Sequence, residues 1–197
     1  MELKEEELTS EESLRIITEM IHTAKSGLKD NGFFYLLWGW LVFTACISQY
    51  VLLYVMNSPY NWIGWAVLMP VGGLISTIYG IRMGKKEKVK TYLDEFMNYV
   101  LIAFMVSLFS VLFYMTRNGG QPTLAYPLIM MVYGAWLFIS GGALRFRPLV
   151  IGGCINWALS ITSMFVEFQW QLVILAVAVL LGYIIPGHML KASYNRQ

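Results

Sequence analysis

Long apolar runs divided by short polar breaks make up most of this chain, and the spacing of the breaks predicts its elements. From Phe33 onward six stretches, about 33–56, 62–83, 95–116, 122–144, 148–166 and 172–190, are long and apolar enough to be read as helices crossing a ~30 Å hydrocarbon core. The breaks are NSPYN at 57–61, the basic GKKEKVK at 84–90, RNGGQ at 117–121, RFR at 145–147 and EFQWQ at 167–171. Ahead of the first run the period changes. Thr9 and Glu12 have the spacing of a capping box, and Leu14, Ile17, Ile21, Ala24 and Leu28 then recur at three- and four-residue steps, with Glu19, Lys25 and Lys29 off the stripe. This predicts an amphipathic helix over residues 10–29, ended by Asp30, Asn31 and Gly32. It is too short to claim a coiled coil, so it suits packing on the membrane surface, self-association or docking of a cytosolic protein.

Two apolar runs meet at 139–163, ISGGALRFRPLVIGGCINWALSITS, with only Arg145, Phe146 and Arg147 between them. The pattern predicts a tight helical hairpin. Gly141–Gly142 and Gly152–Gly153 flank the turn, where small residues let two helix backbones approach in a medium that gives no hydrophobic gain for association. Alternatively, the glycines merely loosen two helix ends. Gly72, Ser76 and Gly80 form a comparable small-residue face in the second run. Pro70 and Pro186 each remove a helix hydrogen bond and crowd the carbonyls of Ala66 and Gly182, which predicts kinked packing or a hinge.

Composition agrees with this pattern. Of 197 residues 57% are hydrophobic and 13% charged, against about a quarter charged in soluble domains. Distribution of charge matters more than the total of +2. Lys25, Lys29, Arg82, Lys85, Lys86, Lys88, Lys90, Arg145, Arg147, Lys191 and Arg196 fall on one side of a six-span arrangement, and Arg117 alone on the other. The positive-inside rule makes the rich side cytosolic, with both termini there. The acidic start, MELKEEEL, is unlike a signal peptide, so the first span is expected to direct insertion. Tyr50, Tyr54, Tyr60, Trp62, Tyr114, Tyr126 and Trp170 suit an aromatic belt at the outer interface, while Trp40, Trp136 and Trp157 are expected to face other helices. Arg117 and Glu167, the charged residues of the outer turns, would pair if the third and fifth spans end close together.

Candidate chemistry is sparse. His22 and His188 stand apart, Cys46 and Cys154 read as buried small hydrophobes, and no metal or cofactor site is expected. Serines in the spans lack a base for nucleophilic catalysis, and no span carries an ionisable residue near its centre, so neither an enzyme nor an ion-coupled carrier is expected. Asn156, Ser160 and Ser163 form a polar stripe at i, i+4 and i+7, read either as interhelical hydrogen bonding or as a ligand-facing surface. Arg145 and Arg147 suit lipid phosphates rather than an anionic substrate. The lysines of 84–90 could also hold anionic lipid at the cytosolic face.

The segments SLRIITEMIHTAK and NGFFYLLWGW, the hairpin GALRFRPLVIGG and GYIIPGH at 182–188 resemble a family of small six-span bacterial membrane proteins without assigned activity. The resemblance implies an all-helical bundle in the bacterial cytoplasmic membrane and brings no site residue.

The resulting expectation is an all-α polytopic membrane protein with six transmembrane helices and an N-terminal cytosolic amphipathic helix. It comprises a cytosolic segment 1–31, a membrane domain 32–190 and a tail 191–197. A non-enzymatic sensing, regulatory or scaffold role is expected, with no direct nucleic-acid binding; a small transporter or channel for an apolar or weakly polar solute is the alternative.

Overall fold

The computed structural model describes residues 32–84, 92–117 and 123–194, and every regular element in them is helical. The expected amphipathic helix at 10–29, the lysines of the basic loop and the 118–121 turn lie outside the described residues. Helix α1 is Phe33–Tyr50, α2 Ile63–Gly84, α3 Tyr92–Arg117, α4 Ala125–Ala143, α5 Arg147–Ser163, α6 Phe168–Val179 and α7 Ile185–Tyr194. A π-helical turn, Val51–Val55, extends α1, and a second, Leu180–Ile184, joins α6 to α7 in one continuous rod. Among the described residues five helical stretches are long and apolar enough to cross a membrane: Phe33–Val55, Ile63–Gly84, Tyr92–Arg117, Ala125–Ala143 and Phe168–Tyr194. Helix α5 has 17 residues, the lower limit of spanning length.

The two prolines have different effects. Helix α2 continues through Pro70 without a break. Before Pro186 the last rod widens into the π-helical turn, which re-registers the backbone where the ring would crowd the carbonyl four residues back. The rod then runs past Lys191 to Tyr194.

Core packing centres on α6 and its π turn, which touch α1, α4 and α5, while α4 and α5 form the closest helix pair. Helix α2 packs on α1 and α3 packs on α4, with no comparable contact between α2 and α3. Accordingly α3 buries no residue and α2 only Gly72. The first residues of α1 lie against the end of the last rod: a Cβ on Gly32 would stand 2.7 Å from the Gly187 carbonyl oxygen and 3.5 Å from the Lys191 nitrogen. At the opposite end Tyr126 of α4 meets Gln49 of α1 and the Phe168 ring of α6.

Three of the four hairpin glycines sit at backbone contacts. A Cβ on Gly141 would lie 2.7 Å from the Val150 nitrogen, one on Gly152 2.9 Å from the Gly182 Cα, and one on Gly153 2.8 Å from the Gly134 carbonyl oxygen. Gly142 faces open space, as do Gly73 and Gly80, so the small-residue face of α2 packs at Gly72 and encloses the Ser76 hydroxyl but is open at Gly80. The turn itself is a Schellman closure: Phe146 N–H donates to the Gly141 carbonyl at 2.8 Å and Arg145 N–H to that of Gly142 at 3.1 Å. Arg145 occupies the left-handed position, φ 52°, where glycine is usual.

Three expectations need correction. Trp40 is 50% exposed; α1 is apolar all round, so its sequence carries no sign of which face is inward. Tyr126 is buried with its hydroxyl on Gln49, not part of an outer belt. Cys154 is exposed, on the side of α5 turned away from α4 and α6, while Cys46 is buried.

Candidate functional site

The polar stripe of α5 is wholly buried: Asn156, Ser160 and Ser163 are each 0% exposed. Its polar groups act within the bundle. Asn156 Nδ2 donates to the Gly152 carbonyl of its own helix at 2.9 Å and to the Ala178 carbonyl of α6 at 3.1 Å. Ser160 Oγ donates to the Pro127 carbonyl of α4 at 2.7 Å, and Ser163 Oγ to the Ser160 carbonyl at 2.7 Å. One stripe therefore joins α5 to α4 and α6, the arrangement expected where apolar lipid leaves hydrogen bonds and close packing to hold helices together. Gly182 lets Asn156 in, since a Cβ at Gly182 would collide with the Asn156 amide nitrogen.

Gln171 continues the seam at the far end of α5. Its Nε2 lies 3.0 Å from the Thr123 carbonyl, 3.1 Å from that of Ser163 and 3.3 Å from that of Val166, tying the α5–α6 turn to the start of α4. Two hydrogens reach three acceptors, so one bond is shared.

A second polar node holds α1, α2 and α4. Gln49 Oε1 accepts from Trp65 Nε1 and from the Tyr126 hydroxyl, each at 2.6 Å. Sequence reasoning passed over Gln49 and Gln171. The signal available was a glutamine at the end of a long apolar run, where burial obliges its amide to find partners.

Between α1 and α4 three buried tyrosines stand in contact. Tyr183, on the π turn, has its ring 6.3 Å from Tyr35 and 5.4 Å from Tyr133. Among the described residues the enclosed side-chain polar atoms without a partner are Ser76 Oγ, Asn156 Oδ1 and Gln171 Oε1. The hydroxyls of Tyr133 and Tyr183 make no hydrogen bond among the described residues either, yet do not belong to that enclosed set. Both residues are buried, at 8% and 6% exposed.

Arg145 and Arg147 lie apart from this seam, exposed on the α4–α5 turn, and the structure does not bring them to Asn156. Arg117 and Glu167 make no ion pair: α3 packs on α4 rather than α5, and Glu167 accepts from Gln169 Nε2 at 2.9 Å. Among the described residues no group of three or more His, Cys, Asp or Glu side chains could hold a metal ion. No protein-family model, curated protein or solved structure matches the chain.

Proposed function

We propose that this chain is a six-span protein of the bacterial cytoplasmic membrane. It acts without catalysis as a sensing, regulatory or scaffold component, and its termini and the 84–90 loop face the cytosol. The observation that carries the functional reading is the orientation of the α5 stripe: Asn156 and Ser160 turn their donors onto carbonyls of neighbouring helices, and Ser163 onto its own, rather than into a solute path. Such a bundle offers its cytosolic segments as contact surfaces. Residues 10–29 would dock a cytosolic protein or a second copy, and no direct contact with nucleic acid is proposed.

Parity supports the sixth span. The start of α1 lies against the end of the last rod, so the first and last crossings run in opposite directions. An even number of crossings fits that arrangement, and α5 would supply it; its 17 residues rise about 25 Å, close to the ~30 Å core. The lysine and arginine asymmetry then makes the terminal side cytosolic. On that side Arg145 and Arg147 would contact lipid phosphates.

Affinity capture from native membranes tests the function, using the full chain and a form lacking residues 1–31. A partner held by the full chain and lost on deletion is expected, with capture unchanged in Asn156→Ala. The carrier reading has one observation in its favour, the hydroxyls of Tyr133 and Tyr183, which make no hydrogen bond among the described residues. Solute flux in proteoliposomes that Tyr133→Phe with Tyr183→Phe abolishes would establish the carrier and displace the scaffold.

A further inference from the structure

Along the outside of α1 runs an apolar groove lined by Phe33, Leu36, Leu37, Trp40, Leu41 and Thr44, with Lys191 of α7 at one end. We propose that this groove binds one anionic phospholipid, an acyl chain lying along α1 and the phosphate on the Lys191 ammonium. It is a site apart from the buried seam, and it rests on the membrane reading of the helices but not on a partner for residues 1–31.

Length is the first argument. From Phe33 to Thr44 the helix rises roughly 16 Å, about half of a ~30 Å core and so the depth of one leaflet. Charge is the second. Lys191 is the one ionisable residue among the described residues that line the groove, and it stands at the Phe33 end, where α1 begins beside Gly187. A long lysine stem can follow the apolar wall while its ammonium stays at the interface. Trp40 is the third. Half-exposed on the groove wall, partway between Phe33 and Thr44, it offers a flat apolar face at acyl-chain depth, its ring 6.0 Å from Phe43 in an edge-to-face pair. The groove thus combines one leaflet's depth, apolar walls and the Lys191 cation at the mouth, which is the chemistry of an anionic phospholipid.

The test places a photo-reactive phenylalanine analogue at Trp40 of the full chain, reconstituted in vesicles of phosphatidylglycerol and phosphatidylcholine. Mass spectrometry after illumination should show a phospholipid adduct in which phosphatidylglycerol is enriched about fivefold over its share of the vesicle. Lys191→Gln should return the adduct to the bulk ratio, and Lys191→Arg should keep the enrichment. An adduct at the bulk ratio in the parent, or enrichment that survives Lys191→Gln, overturns the site. So does a crosslink to a second copy or to residues 10–29, which would give the groove to that occupant. Failure of partner capture by residues 1–31 would leave the adduct unchanged, so the two readings fail separately.

Discussion

Gly152 of α5 and Gly182 of the π-helical turn meet backbone to backbone: a Cβ on Gly152 would stand 2.9 Å from the Gly182 Cα and 3.0 Å from its carbonyl oxygen. Neither atom can step aside as a flexible side chain would. Alanine at Gly152 should therefore lower the melting temperature of the detergent-solubilised protein, and leucine should lower it further and reduce accumulation. Overpacking of this kind typically costs about 1–3 kcal/mol. Gly142, one turn from the same hairpin bend, faces open space, so Gly142→Ala should be neutral or stabilise by up to about 1 kcal/mol through helix propensity. If the glycines only loosen helix ends, the two alanine variants will behave alike, and that result would remove the packing argument.

Arg145 closes the Schellman turn from the left-handed region, with φ 52°. An L side chain there carries roughly 1–2 kcal/mol of strain that glycine escapes. Arg145→Gly should raise the melting temperature, while Arg145→Ala, which loses the charge but keeps the Cβ, should not. A parallel rise in both would show that relief of charge crowding, rather than backbone strain, is responsible.

The sequence foretold the bundle better than its interior, for a physical reason. Breaks between apolar runs are marked by charge, proline and glycine, so helix positions could be read directly. Orientation within the bundle could not. In α1 nearly every position is apolar, and periodicity therefore cannot separate buried Val42 and Cys46 from half-exposed Trp40. In α5 the opposite holds: Asn156, Ser160 and Ser163 are polar residues on an apolar helix, and the stripe marked the buried face. The partners across the seam, Gly134 and Gly182, were invisible because a glycine in one helix does not say which side chain or backbone it admits. Pro186 marked a disturbance in the last rod, but nothing local distinguishes a kink from the π-helical turn that formed.

Topology is open to a direct check. Reporter fusions after Gln197 and within 84–90 should both report cytosol, and one within 118–120 the outside. A cytosolic reading at 118–120, or opposite readings from the first two, would break the six-span topology with cytosolic termini.

Gln49 accepts two hydrogen bonds at 2.6 Å, from Trp65 and Tyr126, and so fastens three helices through one carbonyl oxygen. Replacing it with methionine keeps an unbranched side chain of similar length but removes the acceptor. The Tyr126 hydroxyl, in a residue 4% exposed, would then be left buried and unpaired, a loss of about 1–3 kcal/mol. Tyr126→Phe removes one donor and leaves Trp65 on the oxygen, so it should cost only about 0.5–1.5 kcal/mol. The double variant should be more stable than Gln49→Met alone, because phenylalanine deletes the stranded hydroxyl; coupling between such neighbours is the term a double-mutant cycle isolates. A rival account attributes the node to aromatic packing, since the Tyr126 ring lies 6.2 Å from Trp65 and 5.3 Å from Phe168. Under that account Tyr126→Phe is neutral and the two substitutions add. Thermal denaturation of the parent, both single variants and the double variant in one detergent decides between them, and strict additivity would refute the hydrogen-bonded node.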